Sequence, residues 1–355
     1  MPSTARPNRI LMIRPSALGD VCKSVPALVS LRRAFPDAVI DWLVQDSFAP
    51  AIAAHPALSG VVPFSRKGLG ASMSRLNPGP SLAWMNELRG RKYDLVFDMQ
   101  GLARSGLFAF ATRAPRRVGF ANARELGWLG YTERHLVGLE LHSVDRMLEM
   151  LKLAGVPPVA EMKLYTPEAD RAAFLASDSG SGSLAHQRYV LIAPTSRWVG
   201  KRWPCERFAE LARDLLMMTG LAAIDRVVVV GSASEREQCG ALLELGRSEP
   251  RVLELLGKTS VGGLMALVES ASLVVANDSA ALHMAVGFDR SLIALYGPTR
   301  VDTVGPYGRK ANVVQHVGPE EALDHKNDAA GRAMMDRISV GEVFERCRAE
   351  LMSRS

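Results

Sequence analysis

The side chains with the clearest chemical potential lie in residues 274–283, Val-Val-Ala-Asn-Asp-Ser-Ala-Ala-Leu-His. This apolar run ends in Asn277-Asp278-Ser279 and passes straight into a helix-forming stretch that starts at Ala280. The first turn of such a helix presents unpaired backbone N–H groups and the positive end of the helix dipole, which together attract anions. Asp278 and Ser279 are also good N-cap residues, so capping alone is the competing interpretation.

A second segment, residues 194–204, also has the composition of an anion site. It combines the small hydroxyls of Thr195 and Ser196 with three cations, among them Lys201, and ends in a proline suited to open a helix. Charged donors of this kind form strong hydrogen bonds to phosphate. The alternative is an ordinary surface loop with solvated basic side chains.

Two carboxylates are candidates for moving a proton. Asp20 ends the segment Arg-Pro-Ser-Ala-Leu-Gly-Asp that follows the first predicted strand. Its single glycine excludes a G-x-G-x-x-G dinucleotide fingerprint. Asp20 could cap a helix, or take a proton from a hydroxyl nucleophile at the mouth of a cleft. Asp98 also ends a predicted strand and is the weaker candidate.

Two further features carry less weight. His283 lies one helical turn beyond Ser279, so the two could share a face, and a structural role for the histidine stays open. Gly257-Lys258-Thr259 resembles the end of a phosphate-binding P-loop, but Val252 stands where that motif needs a glycine. We therefore expect a turn there, with Thr259 or Ser260 as a helix cap.

Short apolar strands alternate with amphipathic helices in both halves of the chain, which predicts parallel sheets covered on both faces. A polar stretch, residues 156–187, joins the halves. Ligands of open α/β sheets bind beyond the carboxyl ends of the strands, so the three segments could face one cleft between the halves. The predicted strands are 10–13, 39–44, 61–64, 94–98, 117–120, 189–193, 226–230, 252–256, 273–276 and 292–296. The predicted helices are 21–34, 82–89, 105–112, 144–154, 204–218, 235–247, 261–270, 279–286 and 340–352.

The bulk composition is that of a globular protein of about two domains, with 355 residues, 48% of them hydrophobic and 23% charged. No apolar run approaches the roughly 20 residues that span a bilayer, and the polar N-terminus has no signal-peptide core. The four cysteines are scattered, which indicates neither a zinc site nor a disulfide framework. We therefore expect a cytoplasmic protein. Its net charge of +6 includes a basic stretch between residues 89 and 124 that would suit a phosphorylated substrate or a membrane surface.

Several of these motifs, taken in order, resemble family nine glycosyltransferases, the ADP-heptose:lipopolysaccharide heptosyltransferases. The resemblance extends from about residue 8 to about residue 310 and is carried by five segments. These segments are 14–20, 98–102, 201–204, 256–260 and 276–283.

The resemblance implies a GT-B α/β architecture, with two Rossmann-like doubly wound domains facing a central cleft. Residues 1–170 would form an acceptor-binding domain, joined by the C-terminal helix 338–355, and residues 171–337 the donor-binding domain. The reaction would be an inverting, metal-independent transfer of heptose from ADP-heptose, the donor substrate, with no cofactor and no metal. Asp20 resembles the family's general base.

The same resemblance suggests binding residues. Donor-binding residues would be Thr195, Ser196, Lys201, Asp278, Ser279, Ala280 and His283. Acceptor-binding residues would be Ser16, Arg66, Lys67, Gln100, Arg116, Arg117 and Arg124. The implied partners are the nucleotide-sugar donor and an anionic lipopolysaccharide inner-core glycolipid at the cytoplasmic face of the inner membrane, with no nucleic acid. We expect a monomer that is cytoplasmic or peripheral to that membrane.

One residue departs from the family pattern, because Ala280 stands where many members have glycine, and its methyl group limits how closely a phosphate approaches the backbone. Three alternatives remain open. The chain could use another nucleotide sugar or a protein acceptor, or it could bind a nucleotide sugar without catalysis. A sugar epimerase of the same fold is disfavoured, because Asp20 accompanies the transferase motifs.

Overall fold

The computed structural model describes residues 6–66, 79–177, 183–318, 320–324 and 326–353. The chain divides into two compact units, Met1–Tyr165 and Thr166–Ser355. The division lies close to the expected boundary after residue 170. Each unit is built around one six-stranded sheet whose paired strands are parallel.

The sheet of the first unit has the strand order β3-β2-β1-β4-β5-β6. Its strands are β1 Arg9–Ile13, β2 Val39–Gln45, β3 Gly60–Phe64, β4 Leu95–Asp98, β5 Arg116–Phe120 and β6 Glu133–His135. Its described α-helices are Leu18–Lys23, Val25–Ala34, Pro50–Ala53, Gly79–Gly90, Ala103–Ala111 and Ser143–Leu153.

The sheet of the second unit repeats that topology, in the order β12-β11-β10-β7-β8-β9. Its strands are β7 Tyr189–Ala193, β8 Arg226–Val229, β9 Val252–Glu254, β10 Leu273–Asn277, β11 Leu292–Tyr296 and β12 Val313–Gln315. Its described α-helices are Glu168–Ala176, Cys205–Leu216, Gly240–Ser248, Val261–Ser270, Ala280–Gly287, Val301–Val304, Asp328–Asp336 and Val340–Ser353.

Both sheets reverse their strand order next to the first strand of the unit, between β1 and β4 and between β7 and β10. Such reversals open a crevice beyond the carboxyl ends of the two strands, where open α/β sheets bind ligands. In register, Ile13 lies opposite Asp98, and Ala193 lies opposite Ala276. The predicted segments therefore meet in pairs at the two crevices, 14–20 with 98–101 and 194–204 with 277–279.

The strands form where apolar runs are buried on both faces, as parallel sheets require. Ile10–Ile13 and Leu273–Ala276 are 0% exposed. Helices pack over these strands through their apolar stripes. Phe108 and Leu88 cover the first sheet, while Phe208 and Leu211 cover the second.

The structure differs from the sequence expectation in two helices. The predicted helix 21–34 is broken at Ser24. Pro26 has no backbone N–H to donate to the preceding turn, so a new helix begins at Val25. The C-terminal helix Val340–Ser353, expected to join the first domain, lies in the second unit. Its apolar residues Val343, Cys347 and Leu351 are buried in the core around the second sheet.

Candidate active site

A lysine–aspartate pair lies at the crevice of the second sheet. The Nζ of Lys201 is 2.6 Å from Oδ2 of Asp278, and the two side chains are only 14% and 16% exposed. Asp278 also accepts hydrogen bonds from the hydroxyls of Tyr296 at 3.2 Å and Thr299 at 3.3 Å. Burial and the Asp278 carboxylate hold the pKa of Tyr296 well above its usual range, so this phenol stays a donor.

The two segments that supply this pair are tied together by Asn277, which is 0% exposed. Its Nδ2 donates to the carbonyl of Pro194 at 2.6 Å, and its Oδ1 accepts from the N–H of Trp203 at 3.1 Å. One amide thus bridges the segments after β7 and β10 and fixes Lys201 beside Asp278.

Close packing between Gly200 and Gly331 also holds the segment that carries Lys201. A Cβ at Gly331 would lie 2.6 Å from the carbonyl oxygen of Gly200. Asp328 Oδ1 accepts from the N–H of Gly200 at 3.2 Å. The helix Asp328–Asp336 therefore supports the turn Val199–Lys201 at backbone distance.

The helix Ala280–Gly287 follows Asp278, as predicted, with Ser279 between them at the N-cap position. The Ser279 side chain makes no capping hydrogen bond, and within the described residues its buried Oγ has no partner. A buried hydroxyl of this kind calls for an explanation, and a ligand at the helix start would supply its partner. Ala280 is the first helical residue, and His283 is 4% exposed, inside the second unit.

The predicted hydroxyl residues of the same crevice are 6% exposed each. Thr195 donates to Glu235 Oε2 at 3.1 Å, and the N–H of Ser196 lies 3.4 Å from Gln238 Oε1. Their hydrogen bonds anchor the start of the segment to residues 235–238. Their direct contact with a donor stays a prediction.

Asp20 lies in the first turn of Leu18–Lys23, in which Ala17 holds the N-cap position. Arg14 Nη2 is 3.0 Å from its Oδ2, and Lys23 Nζ is 3.0 Å from its Oδ1. The side chains of Arg14 and Lys23 are 13% and 5% exposed, whereas that of Asp20 is 34% exposed. The two cations hold an accessible carboxylate in place at the start of this helix, and an ionised carboxylate can accept a proton from a hydroxyl.

Asp98, the weaker candidate base, is fully buried. It accepts hydrogen bonds from Tyr131 at 2.6 Å and from the backbone N–H groups of Gln100 and Gly101. Burial raises the pKa of Asp98, and these hydrogen bonds act against that rise. Asp98 therefore shapes the turn that presents Gln100, whose Oε1 lies 3.5 Å from the N–H of Ser16.

The structure separates the predicted acceptor arginines into two groups. Arg116 and Arg117 start β5, at the amino edge of the sheet, opposite to Asp20. Arg116 pairs with Glu133 at 2.7 Å, and Arg117 donates to the carbonyl of Gly130 at 2.8 Å. The structure therefore does not bring them together with Asp20. The first residues of β5 lie at the same edge of the sheet as the first residues of β1, whereas Asp20 follows the last residue of β1.

The predicted basic residues Arg66 and Arg124 follow the carboxyl ends of β3 and β5. Arg66 is exposed just after β3, and Lys67 lies outside the described residues. Arg124 is exposed, and its N–H donates to the carbonyl of Gly101 at 2.9 Å. Burial lowers the pKa of Arg146, and the charges of Arg14 and Arg124 lower it further, while the charge of Glu140 acts against that fall.

Sequence reasoning missed the residues that position the others. Asn277 belongs to a motif identified in the sequence but was given no role there. No role was predicted for Tyr296, Thr299, Gly331 or Arg146. Across the described ranges, no group of three or more His, Cys, Asp or Glu side chains could hold a metal ion. No described helix is both long and apolar enough to cross a membrane. The segment 257–260 is a turn with Gly257 at φ +73° and Ser260 as the cap, as expected.

The model of glycosyltransferase family 9 (heptosyltransferase) matches residues 82–332. Lipopolysaccharide heptosyltransferase 1 of Pseudomonas aeruginosa is 31% identical over 311 residues, 85% of this chain and 82% of that protein. The enzyme of the same name from Escherichia coli K12 is 28% identical over 338 residues, 93% of this chain and 99% of that protein.

Solved structures agree. A glycosyl transferase family 9 structure from Veillonella parvula superimposes with a TM-score of 0.82 at 22% identity, covering 98% of each chain. The E. coli heptosyltransferase WaaC with ADP-2-deoxy-2-fluoro heptose has a TM-score of 0.68 at 27% identity, covering 93% of this chain and 99% of that one. The predicted GT-B-like α/β fold is confirmed. The chain belongs to glycosyltransferase family 9, the heptosyltransferase family, and is a glycosyl-transfer enzyme.

Proposed function

We propose that this protein transfers a heptose from ADP-heptose to an anionic lipopolysaccharide inner-core glycolipid, with inversion at the anomeric carbon and without a metal. The observation that carries the proposal is the partly buried Lys201–Asp278 pair beside an open helix start. That combination suits a nucleoside diphosphate carrying a sugar. The 27%-identical heptosyltransferase solved with ADP-2-deoxy-2-fluoro heptose supports the identity of the donor.

Asp20 acts as the general base. Its carboxylate takes the proton of an acceptor hydroxyl while that oxygen attacks the anomeric carbon of the donor. The bond from this carbon to the ADP oxygen breaks as the new glycosidic bond forms, so the configuration inverts and ADP leaves. A positioned base contributes about 10²–10⁴-fold to such a step.

The departing diphosphate gains negative charge, and the second unit carries groups that stabilise it. Lys201 supplies the cation, while the Ser279 hydroxyl and the first N–H groups of the helix Ala280–Gly287 supply hydrogen bonds. Each donor aimed at a developing charge contributes about 3 kcal/mol. Asp278, which holds Lys201 in place, contacts the sugar hydroxyls. These groups let the reaction proceed without a divalent cation.

The acceptor side would use Ser16, Gln100, Arg66 and Arg124. The acceptor is a membrane glycolipid with acidic core sugars, so the enzyme works at the cytoplasmic face of the inner membrane. Guanidinium groups suit carboxylates and phosphates because they bind both in bidentate fashion.

The proposal is tested by incubating the protein with ADP-heptose and a heptose-free core glycolipid, with and without EDTA. We expect ADP release and one added heptose by mass spectrometry, unchanged by the chelator. A metal requirement would overturn the metal-independent route. Selective turnover of a UDP or GDP sugar would keep the transferase and overturn the donor.

A lysine variant separates the donor site from general charge effects. Lys201→Gln should weaken ADP binding by about tenfold or more in calorimetry, since a charge-assisted phosphate contact is lost. The matched control is Lys310→Gln, which breaks an exposed pair with Asp302 in the same unit. Equal ADP affinity in both variants would remove Lys201 from the donor site.

A further inference from the structure

An exposed surface of the first unit joins apolar and basic side chains. The helix Ala103–Ala111 buries Phe108 but turns Leu107 and Phe110 outward, 47% and 39% exposed. Leu126 and Leu129, 63% and 59% exposed, lie across a groove of about 370 Å³ from this helix. We define the apolar–basic face as Leu107, Phe110, Leu126, Leu129, Arg104, Arg113 and Arg117.

Leucine at position 126 is not explained by the stability of the fold. Leu126 has a φ of +60°, in the left-handed region, where glycine or asparagine is easier to accommodate. A large apolar side chain there is strained in its backbone and exposed to water at the same time. Strain of this kind is concentrated where the chain serves binding.

Positive charge outweighs negative charge on this face. The guanidinium of Arg113 lies 4.2 Å from the ring centroid of Phe110, and that of Arg117 lies 5.9 Å from it. Burial and the Arg113 charge lower the pKa of Arg117, and in the described part of the chain neither arginine forms a salt bridge. Residues 103–134 hold six arginines and two glutamates, so positive charge dominates, although Glu125 also lines the groove.

The face is continuous with the proposed acceptor edge. A Cβ on Gly127 would lie 2.7 Å from the backbone of Leu102, and Arg124 bonds the carbonyl of Gly101. Gly101 and Leu102 directly follow Gln100, a proposed acceptor residue. A glycolipid whose sugars reach Gln100 would therefore leave its lipid end beside Leu126.

We propose that the apolar–basic face docks the protein on an anionic lipid bilayer, with the leucines entering the headgroup region and the arginines binding lipid phosphates. Interfacial binding has this chemistry, apolar side chains flanked by basic ones. The inference rests on the proposed membrane-borne acceptor and adds the surface that meets the membrane.

The test is sedimentation with vesicles of phosphatidylcholine, with or without phosphatidylglycerol. The wild-type protein should bind vesicles that contain phosphatidylglycerol more tightly than vesicles of phosphatidylcholine alone. Leu126→Asn combined with Leu129→Ser should lose about tenfold in partition, from two exposed leucines, and Arg113→Gln about fivefold. Leu126→Asn suits the left-handed backbone, so the variant stays folded. Leu175→Ser and Arg213→Gln, exposed in the second unit, are the matched controls.

Turnover of a soluble, deacylated acceptor separates this inference from the proposed function. The face variants should keep that turnover and lose vesicle binding. Wild-type protein that ignores anionic vesicles, or face variants that bind as the controls do, would overturn the docking surface while leaving the transferase proposal intact. Loss of self-association in ultracentrifugation with vesicle binding unchanged would assign the face to a second copy and overturn it as well.

Discussion

The buried amide of Asn277 gives a quantitative test of how the donor-side segments are held. Asn277→Ala leaves the Pro194 carbonyl and the Trp203 N–H without the bonds they make at 2.6 and 3.1 Å. Each orphaned buried group costs about 1–3 kcal/mol. We expect a loss of about 2–4 kcal/mol in the free energy of unfolding, because a water can enter the vacated space at the strand end and offset part of the cost.

Binding should fall together with stability. Lys201 follows Pro194 by seven positions and precedes Trp203 by two, so a segment released from Asn277 presents its ammonium less well. ADP affinity measured by calorimetry should drop by about tenfold, or 1.4 kcal/mol. Asn277→Asp should be no better, since it sets a carboxylate oxygen against the Pro194 carbonyl.

The control is Asn122→Ala in the first unit, which removes one bond to the Val137 carbonyl at 2.8 Å. It should lower stability in urea unfolding and leave ADP affinity unchanged. Wild-type ADP affinity in a destabilised Asn277→Ala protein would refute the claim that this amide positions the donor site. Unchanged stability would refute the energetic reasoning.

Two further predictions concern packing and charge. Gly331→Ala should weaken ADP binding and cost about 1–3 kcal/mol by overpacking, because its Cβ would press on the Gly200 carbonyl; Gly341→Ala, with open space around it, should instead add about 0.5–1 kcal/mol in thermal unfolding. Arg116→Gln should cost about 1 kcal/mol at neutral pH and leave the acceptor KM unchanged. Although burial raises the pKa of Glu133, hydrogen bonds from Arg116 and His135 lower it below its usual value. A carboxylate whose pKa is depressed by folding stabilises the folded state at pH values above the ordinary pKa of Glu. This stabilisation is lost as the pH falls through the pKa of the folded state, so the unfolding curves of variant and wild type should converge in acid. A gap that widens in acid, or a raised acceptor KM, would contradict this role.

The central strands were predictable because their burial requires unbroken apolar runs, as in residues 10–13 and 273–276. The short strands β6 and β12 were not predicted. Each lies at the edge of its sheet and pairs with a neighbouring strand on one side only, so a three-residue strand such as Glu133-Arg134-His135 forms without an apolar run. The helices Glu168–Ala176 and Asp328–Asp336 were missed as well, since each buries only a few side chains.

The positions of Asp20, Lys201 and Asp278 were predictable because each lies in the segment that follows the carboxyl end of a predicted strand. Their partners were not, because Tyr296 and Gly331 reach the site from distant parts of the chain. The basic composition of the sequence did not show where Arg116 and Arg117 lie in the sheet. A run of basic residues does not reveal which end of a strand it occupies, and the register of β5 places these two opposite to Asp20.

The proton transfer assigned to Asp20 is tested most directly by Asp20→Asn, with kcat for heptose transfer and the Kd for ADP measured on the same preparation. Asparagine leaves Arg14 and Lys23 without their carboxylate, so thermal unfolding must first show a folded protein at the assay temperature. We predict a fall in kcat of about 10²–10⁴-fold with the ADP Kd unchanged. A folded variant that keeps wild-type kcat would contradict the assignment of Asp20 as the base.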